Sequence, residues 1–179
     1  MRNFGLFLAV ALAAALPAAA LELSLCVDPR SGFDRMTADV FEQELTRIVA
    51  ESGKTLRTLP CRQAGAPAPP AAGAAAILPL RLKVEDRPHA AHPGDALGSA
   101  RRNGAGEILP EFAVYVAPVA RLVGTRLPGV LGRSLARVAA HELGHYLGQR
   151  ERHDREGLMS EFFTGPQLLA AKPAHFRLR

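Results

Sequence analysis

The pattern of apolar residues predicts a layered fold of the α+β or mixed α/β kind. Three observations carry this expectation. Thr37 to Glu51 repeats apolar residues at three- and four-residue spacing, the mark of a helix with one buried stripe. Leu131 to Leu147 repeats the pattern over a longer span. Before and between these helices, short runs of Leu, Val, Ile and Phe are bounded by Gly, Pro, Asp and Asn, as strands are. Strands, a helix, more strands and a second helix give a layer of each, and no internal repeat suggests an array.

The chain opens with Met1-Arg2-Asn3, an apolar run from Phe4 to Leu16 and the exit Pro17-Ala18-Ala19-Ala20. A basic start, a short apolar stretch and an Ala-x-Ala end predict a secretory signal peptide over residues 1–20. The run is shorter than the roughly 20 apolar residues a bilayer crossing needs. Residues 21–179 are then expected to form one exported domain, periplasmic or secreted, with no membrane span after signal removal. Leu21 to Val27 reads as the first strand, broken by Asp28 to Gly32. In the first helix Val40, Phe41, Leu45, Ile48 and Val49 form the stripe, and Gly53 stands at its C-terminal end. Thr55 to Leu59 is a short strand ending at Pro60-Cys61, and Ala64 to Ala75, rich in Ala, Pro and Gly, is a loop.

Ile77 to Val84 reads as a strand, with Pro79 placing it at an edge or near a strand start. Asp95 to Ala100 is a short strand of small residues, followed by a turn from Arg101 to Gly106. Phe112 to Ala117 is apolar on both faces and reads as a strand buried on both sides. Pro128 is tolerated in the first turn of the second helix, and Gly148 stands where a left-handed terminator is expected.

The formal charge of +5 comes from 22 Lys and Arg against 17 Asp and Glu, and lysine occurs only at 54, 83 and 172. The arginines are scattered, aromatics are few and tryptophan is absent, so a nucleic-acid-binding face is not expected. Cys26 and Cys61 are the only cysteines, a pair that an oxidising compartment would allow to form a disulfide.

The chemistry lies in His141-Glu142-Leu143-Gly144-His145. Residues four apart on a helix differ by about 40° in azimuth and one turn along the axis, so two imidazoles there can reach one zinc ion. Glu142 points about 100° from His141, which suits a general base better than a ligand. A third ligand follows the helix end: Gln149 to Arg152 make a short loop that returns His153, with Asp154 and Glu161 as its competitors. Gly157-Leu158-Met159 is a turn whose thioether can floor a metal site without competing for the ion. His89 and His92 read as surface loop residues and His175 as uninvolved.

His141, Glu142, His145, Gly148, a following histidine and the Gly-Leu-Met turn resemble the metzincin clan of zinc endopeptidases, and in particular short exported bacterial members of it. The likeness is specific over Leu131 to Ser160. It departs from the best-known members in one respect: His153 follows His145 by eight positions, where their third histidine follows by six. The resemblance implies an α+β fold with a mixed, twisted sheet packed on a long helix and an active-site helix, and a short C-terminal subdomain after the active-site helix. It also implies zinc held by His141, His145 and His153, Glu142 as base, and Met159 beneath the site. Asp95 to Ala100 would be the edge strand that receives an extended peptide or protein substrate, and Phe162 and Phe163 would wall a pocket past the scissile bond. The alternative is a noncatalytic, zinc-stabilised exported binding protein that retains the site.

Overall fold

The structure, a computed structural model, describes residues 22–28, 33–61, 77–88, 95–170 and 178. Residues 1–20 and 64–75, where a signal segment and a loop are expected, and His89, His92 and His175 lie outside the described residues. Among the described residues, five strands and four helices follow one another as β1 (Glu22–Asp28), α1 (Arg35–Ala50), β2 (Thr55–Pro60), β3 (Ile77–Glu85), β4 (Gly98–Arg102), β5 (Ile108–Tyr115), α2 (Val116–Val123), α3 (Pro128–Gly148) and α4 (Gly165–Leu169). The strands form a sheet ordered β2-β1-β3-β5-β4, in which only β4 runs antiparallel to its neighbour. The architecture is mixed α/β with a mostly parallel sheet.

Alternation fixes which face of each strand meets the helices. In β1 and β3, Leu23, Leu25, Leu80, Leu82 and Val84 are buried, while Ser24, Arg81 and Lys83 between them are not. The buried residues meet Phe41, Leu45, Ile48 and Val49 of α1 and Leu135, Val138 and Ala139 of α3 in one core. Asp34 caps α1, its carboxylate accepting from the Thr37 amide at 2.9 Å. The two long helices pack on each other so tightly that a Cβ on Gly132 would lie 2.5 Å from the Thr37 carbonyl oxygen. That contact puts both helices on one face of the sheet. On the strands beneath, Lys83 and Arg101 both bond the Glu111 carboxylate.

β3 is central, and Pro79 falls near its start as expected; it fits there because the β3–β5 ladder begins only at Arg81↔Glu111, beyond the residue that lacks an N–H. Three expectations need correction. β4 starts at Gly98 and runs on to Arg102. A bulge between Ala100 and Arg102 lies where Pro110 of β5 offers no donor. β5 starts at Ile108, and Val116 and Ala117 turn out of the sheet into α2, which Gly124 ends at φ 73°. The left-handed residue after α3 is Gln149, at φ 44° and ψ 42°; Gly148 is the last helical residue. A Cβ on Gly148 would lie 3.2 Å from Arg150 Cγ, so the glycine makes room for the returning chain.

Candidate metal centre and cleft

α3 carries its apolar stripe toward the sheet at Leu131, Leu135 and Val138, and then continues it with Glu142 and His145, with His141 alongside. His141, Glu142 and His145 are 7%, 6% and 8% exposed, so three ionisable side chains lie inside the core. Such burial demands partners, and for the two histidines backbone carbonyls supply them. His141 Nδ1 lies 2.7 Å from the Leu158 carbonyl oxygen, and His145 Nδ1 lies 2.7 Å from that of Arg150.

These two contacts fix the tautomers. A carbonyl oxygen can only accept, so each Nδ1 carries the proton and each neutral ring presents an Nε2 lone pair. The two Nε2 atoms lie 2.9 Å apart. Two lone pairs at that distance call for a cation between them. Burial opposes a proton there, pushing the His141 imidazole down to about 4 against the lesser upward pull of the Leu158 carbonyl. A divalent metal ion fits the donor set.

The chain brings a third imidazole to the same place. After Gln149 the Arg150 amide bonds back to the His145 carbonyl at 3.2 Å, and the chain returns. The Asp154 amide then donates to the Met159 carbonyl at 2.7 Å, and Asp154 bridges Ser160 in parallel. This clasp holds the His153 ring 5.2 Å from that of His141 and 4.9 Å from that of His145, centroid to centroid. One nitrogen from each of the three lies within 4.8 Å of the others. Of the two rival ligands, Asp154 turns its carboxylate to Arg150 at 3.2 Å, and Glu161 is exposed on the cleft wall. Neither joins the histidine group.

Met159 packs against α3 at Gly144. Gly157 turns the chain at φ 88°, and a Cβ on Gly144 would overlap Met159 Sδ and lie 3.4 Å from Leu178 Cδ2. Absence of a side chain at 144 lets the turn press against the helix between the two histidines. Phe163 packs edge-on to His141 at 5.3 Å, whereas Phe162 is 74% exposed.

A cleft of ≈ 1230 Å³ runs along β4, with the three histidines and Glu142 in its wall. Glu142 is the base candidate, and burial raises its carboxyl to about 8. A Cβ on Gly98 of β4 would lie 2.7 Å from Glu142 Oε1. At the far side, Ser99 Oγ and Tyr115 Oη are 2.8 Å apart, and Phe162, Phe163, Pro118 and Leu122 contribute the apolar part of the wall.

Three structural residues escaped the sequence reading. Gln149 pairs like a strand with the start of β5: its Nε2 donates to the Ile108 carbonyl at 3.0 Å, and its Oε1 accepts from the Ile108 amide at 3.1 Å. Arg137, 1% exposed on α3, donates to Glu44 at 2.9 Å and to the carbonyls of Gln167, Leu168 and Ala170 at 3.2, 2.7 and 2.7 Å. It thereby joins α1, α3 and α4. Gly98 is the third. Its position in a run of small residues carried no signal, since its role is set by a side chain 44 positions on.

Among solved structures, archaemetzincin from Methanopyrus kandleri superposes with a TM-score of 0.55 at 18% identity, over 87% of this chain and 88% of that one. The likeness is one of fold. No protein-family model and no curated protein sequence matches the chain. Among the described residues no helix is long and apolar enough to cross a membrane.

Proposed function

We propose that the chain is a zinc-dependent peptidase of metzincin type, with His141, His145 and His153 as the metal ligands and Glu142 as the general base. The observation that carries the reading is the pair of Nε2 lone pairs held 2.9 Å apart by two Nδ1–carbonyl contacts, with a third imidazole beside them. The archaemetzincin-like fold accords with it. Three imidazoles leave a fourth position open, which a catalytic site needs and a closed structural site does not. Zinc, when bound, supplies Lewis acidity, polarising a carbonyl and acidifying a water.

The protein groups do the rest. The Leu158 and Arg150 carbonyls keep both rings in the liganding tautomer. Glu142, whose carboxylate form a cation held by the histidines would favour against the effect of burial, takes a proton from the attacking water and passes it to the leaving amine. Met159, fitted against Gly144, holds the floor level. The substrate is an extended peptide or protein segment lying on β4, which has β5 on one side and no strand on the other among the described residues. Backbone pairing to that edge holds the peptide, and the Phe163 wall selects a side chain. A cleft that runs along an edge strand suits cleavage within a chain. Residues 1–20 direct export, to the periplasm or beyond.

Hydrolysis of a quenched fluorescent peptide library, with and without chelator, tests the reading. The expected result is chelator-sensitive cleavage that Glu142→Gln reduces about 10²- to 10⁴-fold at unchanged zinc content. His153→Ala should lower bound zinc. A protein that binds zinc in full yet cleaves nothing would instead be a zinc-stabilised binding module.

A further inference from the structure

We propose that Gly98 is a positioning residue for Glu142: the missing side chain at 98 is the space in which the base's carboxylate rests. The inference depends on Glu142 being the base of the proposed peptidase and goes further in saying what holds it.

Glycine in a strand needs a reason, because it weakens the strand and gives nothing to pack. Backbone conformation is not that reason. Gly98 lies within β4, paired with Val114, and is not among the positive-φ residues. The reason is space. A Cβ at 98 would lie 2.7 Å from Glu142 Oε1, 2.9 Å from the Ala113 carbonyl oxygen and 2.9 Å from Val138 Cγ1.

These three neighbours do not yield equally. The Ala113 oxygen belongs to the backbone of β5, which is flanked by strands on both sides. Val138 is β-branched on a helix, with one strongly preferred rotamer, and is 1% exposed. Glu142 Oε1 ends a flexible side chain that borders the open cleft. A methyl at 98 therefore moves the carboxylate furthest, and its two 2.9 Å contacts are relieved by a small outward shift of β4 at the sheet edge. The strand that sets the base is also the edge on which substrate is proposed to lie, so one backbone segment aligns both reactants. A displacement of about 1 Å at such a site costs about 10²-fold in rate.

Gly98→Ala is the test, made in the zinc-loaded full chain and read as kcat and KM on a cleaved peptide, zinc content and thermal midpoint. The expected result is a fall in kcat of about 10²-fold with KM within about twofold, zinc content unchanged, and a thermal midpoint that is lowered while unfolding stays a single cooperative transition. Glu142→Asp supplies the second arm. It withdraws the carboxylate by one methylene from position 98, so adding Gly98→Ala to Glu142→Asp should cost less than about threefold further. An unchanged kcat in the Gly98→Ala single variant overturns the proposal. So does an equal loss when Gly98→Ala is added to Glu142→Asp, and so does loss of zinc or of folding in either, which would assign the glycine to sheet packing. If the parent shows no metal-dependent cleavage at all, the peptidase reading fails instead.

Discussion

Glu142 is buried in the metal-free fold with its carboxyl raised to about 8 by desolvation, whereas an unfolded glutamate titrates near 4.3. The folded state therefore binds more protons than the unfolded one between those values, and stability falls as pH rises through that window. Histidine in the unfolded chain is largely neutral above about 7, so the metal-free protein should lose on the order of 1 kcal/mol between pH 7 and 8. Denaturant midpoints of chelated protein at the two pH values measure this, and Glu142→Gln should flatten the difference. An equal slope in the variant would show that the carboxyl is not the group responsible. At this scale the sequence was informative wherever a side chain has chemistry of its own. His141, Glu142, His145 and His153 line one cleft, and Met159 packs against Gly144 between the two helical histidines. It was silent where the work falls to a backbone oxygen, as with Leu158 and Arg150, or to a missing atom, as with Gly98.

Among the elements, α3 was readable because its stripe is long, and the strands because they alternate. Two short helices were not. α2 follows β5 without a polar break, so Val116 and Ala117 read as more strand; only Pro118 and Gly124 marked the change. α4 spans Gly165–Leu169, and its capping box of Thr164 and Gln167 was the available signal. What docks α4 is Arg137, whose guanidinium commits its donors to Glu44 and three carbonyls. Scattered arginines in a basic chain look like a solvated surface, which is why this one escaped notice. Arg137→Met should destabilise the protein by about 3–5 kcal/mol, because it leaves buried acceptors without donors. Arg137→Lys should recover only part, since one ammonium cannot reproduce the fork. Chemical denaturation of the three proteins checks the order, and a neutral Arg137→Met would show that the network is dispensable.

For the whole molecule, composition and element order pointed to one layered domain, and the direction of pairing was the part they could not give. A parallel and an antiparallel pairing of the same runs bury the same alternate residues, so β1, β2, β3 and β5 could not be oriented from pattern alone. Cys26 of β1 and Cys61, just past the end of β2, are bonded, with Cα atoms 4.9 Å apart and a sequence separation of 35. In the chain-entropy account, Cys26→Ser with Cys61→Ser should cost about 4 kcal/mol. Little change in the unfolding free energy would mean the sheet holds that margin unaided. The placement of Leu178, 5% exposed beneath Gly144, has a further consequence. A nick ahead of it removes the residue that backs the metal helix, and one ahead of Gln167 also strands a cation in oil. Trimming from the carboxyl end should therefore not yield a shorter stable domain but a substrate for the next protease.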